Sequence, residues 1–119
     1  MEFAFKNLSV WQKSIDFADN VIGITQSLET NRNHFRIIEQ LESAVLSISN
    51  NIAEGKGRYS KKEFVHYLFI ARGSLYETIS ILNIFQRKKW ITSELLEKFE
   101  KEAIEIVQML KGLINSISK

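Results

Sequence analysis

Few residues in this chain combine a reactive type with a chemically useful spacing. Glu63-Phe64-Val65-His66 places a carboxylate and an imidazole three residues apart, on one face of a helix. Di-iron helical bundles build their sites from pairs of such Glu-x-x-His motifs and further inward carboxylates. Here the motif occurs once, and Glu63 also completes a helix-capping sequence, so a cap and an ordinary helical His is the simpler account. His34 has no partner at a ligand spacing. Cysteine is absent, which excludes thiolate zinc sites, disulfides and cysteine nucleophiles. No catalytic residue, metal, cofactor or small-molecule substrate is expected.

Cations offer a second kind of chemistry. Gly55-Lys56-Gly57-Arg58-Tyr59-Ser60 is a glycine-containing loop, but it lacks the G-x-x-x-x-G-K-[ST] pattern and follows a helix rather than a strand. It does not read as a nucleotide-hydrolysis loop. Lys56, Arg58, Lys61 and Lys62 could instead hold backbone phosphates, or they could simply decorate a solvated turn. Arg87, Lys88 and Lys89 precede Trp90, a set able to contact phosphates and stack a base. The alternative is that Trp90 folds back onto the protein and the cations serve a helix C-terminus. Overall charge does not choose between these: sixteen Lys and Arg oppose fourteen Asp and Glu, a formal +2.

A third group is polar and periodic. Gln40, Ser47, Asn51 and Glu54 share one helical stripe, and Gly73, Glu77 and Ser80 line up similarly beside Ser74. They form either two solvated flanks or a polar network between helices or subunits.

These groups need elements to hold them, and the periodicity supplies four helices. The first starts near Ser9, where Ser9-x-x-Gln12 has capping-box form. It carries two apolar stripes: Leu8, Trp11, Ile15, Ala18 and Ile22, and Val10, Phe17, Val21, Ile24 and Leu28. So wide an apolar surface needs cover on two sides, from the bundle or from another subunit. The second helix spans about 34–54, with Asn31 or Asn33 as cap, Ile37, Leu41, Ala44 or Val45, Ile48 and Ile52 inward, and Gly55 ending it in a left-handed conformation. The third spans 61–87 behind a Ser60-x-x-Glu63 capping box, with Phe64, Leu68, Ala71, Leu75, Leu82 and Phe85 inward. Thr92 caps the fourth, where Ile91 and Leu96 suit a hydrophobic staple. Its stripe is Leu96, Phe99, Ala103, Ile106, Leu110, Leu113 and Ile117.

No run alternates long enough for a strand, although Phe3 and Phe5 suit a short extended arm. With no proline and five glycines, the chain is poor in turns. Short connections then give an all-α, antiparallel up-down-up-down four-helix bundle, as one domain over 1–119. Its first and third connections share one end, its second lies at the other, and both ends are basic. Residues 1–6 carry no basic stretch followed by an apolar one, and apolar runs reach only about five residues, so a cytoplasmic protein with no membrane partner is expected.

Two stretches carry a family resemblance. Asn51-Ile52-Ala53-Glu54-Gly55, followed by Arg58, Ser60 and Phe64, is one; Gly73-Ser74-Leu75-Tyr76-Glu77 is the other. With Leu8 to Lys13 and Gln40-Leu41, the chain resembles the bacterial 23S rRNA-intervening-sequence proteins over nearly its whole length. The resemblance implies a four-helix bundle assembling as a homopentamer around a channel. It also implies kinship with accessory proteins of diversity-generating retroelements, which bind nucleic acid and a reverse transcriptase. Gln40, Asn51, Glu54, Gly55, Arg58, Gly73, Ser74 and Glu77 match the family pattern, and the family is not known to use them catalytically. Two positions depart from it: Ser49 stands where proline is common, and Glu42 and Ser43 where basic residues are frequent. The expected function is a non-enzymatic homo-oligomer binding RNA or a nucleoprotein; the alternative is a scaffold that binds only proteins.

Overall fold

The structure, a computed structural model, describes residues 1–28 and 34–118. Four helices follow a 3-10 turn at Ala4–Asn7: α1 Ser9–Ser27, α2 Phe35–Lys56, α3 Lys61–Arg87 and α4 Ser93–Ile117. Each helix packs on its two neighbours in the order α1–α2–α3–α4–α1. Neighbours run antiparallel, as paired positions show. Ser47 meets Ser74 while Gly55 abuts Tyr67. Lys13 meets Glu105 while Phe17 packs on Phe99. The described residues contain no strand.

The core is aliphatic with three fully buried phenylalanines, Phe17, Phe85 and Phe99. Phe17 and Phe99 join α1 to α4 edge to face, with ring centres 6.1 Å apart. In α1 the stripe through Val10, Phe17 and Val21 is buried, while Ile15 of the other stripe is 37% exposed. Leu28 lies just beyond the end of α1 and is half-buried. At the outer edge of the α1–α4 pair, Lys13 donates to Glu105, and this bond raises the Lys13 pKa above its ordinary value. In α4 the buried stripe ends on Ile114 rather than on Leu113 and Ile117, which are half-buried. A straight helix repeats every 3.6 residues, so a strict heptad drifts off the seam.

Helix ends confirm some expected caps and correct others. Ser60 Oγ accepts from the Glu63 amide at 3.1 Å, and Thr92 Oγ1 from that of Leu95 at 3.1 Å. Ile91 and Leu96, on either side of the Thr92 cap, are both buried. Ser9, in contrast, lies inside α1, and Leu8 occupies the cap position without a side-chain bond. Gln12 reaches back instead to the Lys6 carbonyl at 2.7 Å, tying the 3-10 turn to the helix. That turn replaces the expected extended arm. Asn31 and Asn33, the expected caps of α2, lie outside the described residues; His34 stands at its N-cap position without a side-chain bond.

Gly55 is the largest departure. It does not end α2 in a left-handed conformation; it lies buried inside the helix, which runs on to Lys56. A Cβ there would stand 2.7 Å from the Tyr67 Cβ and 3.2 Å from the Phe64 carbonyl oxygen. Glycine is needed because α2 and α3 approach closely, not because the chain turns. Among the described residues the one left-handed non-glycine residue is Lys89, at φ 62°. Around it Trp90 N donates to Phe85 O and Lys89 N to Gln86 O, both at 2.9 Å, which is a Schellman motif.

Candidate nucleic-acid interface

The two basic ends differ in construction. At the end holding the α3–α4 connection, Trp90 closes the Schellman motif and is half-buried. Its ring lies 5.0 Å from Phe85, nearly perpendicular, and 4.7 Å from His34. It is an internal packing element rather than a free stacking platform. Arg87, Lys88 and Lys89 are exposed and sit where the negative end of α3 favours cations. Their own helix therefore accounts for them. Arg36, also exposed, lines a shallow cleft with Gln40 and Glu77, and Arg32 lies outside the described residues.

At the opposite end, residues 57–60 connect α2 to α3. Gly57 N bonds back to Ala53 O and Glu54 O, and Arg58 N to Gly55 O, so the connection folds tightly against α2. Lys56, Arg58, Lys61 and Lys62 are all exposed around it. Lys61 and Lys62 stand in the first turn of α3, where that helix's dipole disfavours positive charge. They line a groove with Ile117 and Ser118 at the end of α4, whose last turn carries no basic residue. Tyr59 projects fully into solvent.

Two of these cations are held in place. Arg58 Nη2 donates to Glu54 Oε1 at 3.1 Å and to the Tyr67 hydroxyl at 2.5 Å, with its guanidinium 4.8 Å from the Tyr67 ring centre. Both bonds use one nitrogen, leaving Nη1 and Nε free of partners among the described residues. Lys56 Nζ lies 5.7 Å from the Phe64 ring centre.

Beside this end lies a solvent-open cleft of about 900 Å³ between the N-terminal turn and the last turns of α2. Phe3 and Phe5 form one wall; Asn50, Asn51, Lys56 and Arg58 contribute to the other. The cleft joins residues that the sequence sorts into two groups, the loop cations and the α2 polar stripe. It also adds Phe3, Asn50 and Tyr67, which only proximity in space could identify.

The polar stripe itself divides. Asn51 Nδ2 donates to Ser47 Oγ at 2.9 Å and to Ser47 O at 2.7 Å. Ser47 Oγ and Ser74 Oγ lie 2.8 Å apart, and Ser74 Oγ donates to Ile70 O at 3.2 Å. The donors thus run one way from α2 into the backbone of α3. Thr78, fully buried, adds a bond to Ser74 O at 2.8 Å. Glu54 pairs with Arg58 instead of joining this chain. Gln40, Gly73 and Glu77 are exposed and take no part in it, and nothing stands within 4 Å of a Cβ placed on Gly73. A second polar link joins α1 to α2: Thr25 Oγ1 donates to Glu42 Oε2 at 2.6 Å. Glu42, a departure from the family pattern, therefore has an internal partner.

Glu63 and His66 are exposed, Glu63 accepts from the Ser60 hydroxyl, and the described residues hold no metal-ligand cluster. None of the described helices is long and apolar enough to cross a membrane.

No curated protein matches the chain. A solved structure from Bacteroides thetaiotaomicron VPI-5482, a protein of unknown function from the S23 ribosomal protein family, is similar at a TM-score of 0.81 and 28% identity. The match covers 88% of this chain and 97% of that one. The model of the 23S rRNA-intervening sequence proteins matches residues 6–112, from the N-terminal turn to near the end of α4. That span takes in all four helices and both stretches that carry the resemblance, and on it this chain belongs to the 23S rRNA-intervening sequence protein family.

Proposed function

We propose that this protein is a non-enzymatic, self-associating cytoplasmic bundle that contacts RNA, free or within a nucleoprotein, through the end built around residues 57–60. The observation that carries this reading is the exposure of Lys56, Arg58, Lys61 and Lys62 around one short connection. The dipole of α3 explains the cations at the other end but opposes Lys61 and Lys62. Phosphates would supply the missing counter-charge, and repetition of this end in a homopentamer would multiply the attraction.

Self-association is supported by an apolar groove of about 430 Å³ between α3 and α4, lined by Tyr76, Ile79, Ile104 and Val107 among others. Tyr76 is 58% exposed and Ile104 55%. The same groove favours the second reading, a scaffold that binds proteins alone.

Fluorescence anisotropy with structured RNA tests the first reading. Affinity should fall steeply between about 50 and 200 mM salt. Replacing Lys56, Arg58, Lys61 and Lys62 by Ala should flatten that dependence, while replacing Arg87, Lys88 and Lys89 should leave it nearly unchanged. Absence of binding at low salt would remove the RNA reading and leave the scaffold.

A further inference from the structure

The cleft beside residues 57–60 has the composition of a site for an unpaired nucleotide. Its volume of about 900 Å³ is at the upper end of the range for small-ligand sites, roughly 300–1,000 Å³. It is open on one side, as a site for part of a longer strand must be. One wall offers an aromatic ring: Phe3 lines the cleft, is 58% exposed and lies 5.7 Å from Phe5, which itself packs edge-on against Trp11 at 5.0 Å. Aromatic faces accept any base, because every base presents a π-surface. The other wall offers charge and amides. Arg58 is fixed by Glu54 and Tyr67 through Nη2 alone, so its remaining N–H groups can take phosphate oxygens without breaking either bond. Asn51 is anchored through Nδ2, which leaves Oδ1 as an acceptor without a donor among the described residues, and Asn50 is exposed. Carboxamides of this kind pair with base edges that a duplex keeps engaged.

We propose that this cleft holds an unpaired nucleotide of RNA, its base against Phe3 and its phosphate on Arg58 and Lys56, so that the protein prefers single-stranded RNA over a duplex. The proposal rests on the RNA reading above and adds a strand preference that phosphate contact alone would not produce.

The test is anisotropy at low salt with the full chain, comparing a labelled unstructured RNA with a duplex of the same length. Single-stranded RNA should bind more tightly. Phe3→Ala should weaken that binding roughly 5- to 150-fold, the span expected for one lost base–aromatic stack, and leave duplex binding unchanged. Phe3→Trp should restore it. Phe69→Ala, at an exposed aromatic on another face of α3, should change neither, and thermal melts of each variant confirm folding. Equal affinity for duplex and single strand, or a Phe3→Ala variant that binds single strands as well as the parent, overturns the cleft proposal while the phosphate reading stands. Failure of the parent to bind either RNA overturns both.

Discussion

Lys89 and two glycines show what a single residue contributes. Gly55 sits where α2 and α3 nearly touch, and a methyl group there would meet the Tyr67 Cβ and the Phe64 carbonyl, neither of which can swing aside. Gly55→Ala should cost about 1–3 kcal/mol in urea unfolding, the range for an overpacked core. Gly73 is the control: it is exposed in mid-helix with open space around it, and Gly73→Ala should stabilise by about 0.5–1 kcal/mol. Lys89 holds a left-handed conformation that disfavours side chains. Lys89→Gly should raise stability by up to about 1 kcal/mol, with Trp90 fluorescence following the transition. From sequence, Gly55 and the cations at Arg87–Lys89 look like helix ends. Gly55 lies in the last turn of α2 without capping it, because local propensity cannot report that another helix passes within van der Waals contact.

At the scale of elements, the α2–α3 pair combines a close approach at Gly55 with a chain of side-chain bonds. Asn51, Ser47 and Ser74 pass donors one to the next and end on the Ile70 carbonyl. Asn51→Ala should lower stability by about 1 kcal/mol, since it removes the donor to Ser47 at a partly buried position. A double-mutant cycle on Ser47→Ala and Ser74→Ala should show coupling of about 0.5–1.5 kcal/mol. Additivity within a few tenths would mean that the contact contributes nothing to the pairing of the helices. The stripe of Gln40, Ser47, Asn51 and Glu54 was visible as spacing, but spacing could not say which members meet α3. Ser47 does, through Ser74; Asn51 bonds to Ser47 within α2, Gln40 is exposed, and Glu54 turns to Arg58. In α1 both apolar stripes were legible, and packing against α2 and α4 buried Val10, Phe17 and Val21 of one and Ala18 of the other while leaving Ile15 exposed.

At the scale of the whole molecule, the exposed apolar groove between α3 and α4 is the surface that the proposed self-association would cover. If a second copy covers it, light scattering should give a mass several times 13.8 kDa at micromolar concentration. Ile104→Glu should then reduce that mass while helical circular dichroism is retained. A monomeric parent protein would overturn self-association, and an Ile104→Glu variant that keeps the parent's mass would place the interface elsewhere. The channel implied by the family resemblance, and the repeated basic ends of the proposed RNA contact, depend on this result. A cluster repeated around a ring raises local potential far more than a formal +2 per chain suggests.

What could be read from the chain alone is what depends on neighbours a few residues away. Helix period, the Ser60 and Thr92 caps and the α3 boundaries rest on bonds and faces that recur within four residues, so the order of types carries them. Family membership was legible for a related reason: it rests on short runs of matching residues. The cleft was not legible. Phe3 and Arg58 lie 55 positions apart in the chain, and nothing in either neighbourhood marks the other. The antiparallel packing of four helices brings the N-terminal turn against the last turns of α2, and the same packing folds Trp90 onto Phe85 and His34 while leaving Tyr59 in solvent. Two aromatic–cation sets that look equivalent along the sequence become an internal anchor and an open surface because burial is a property of the assembled bundle.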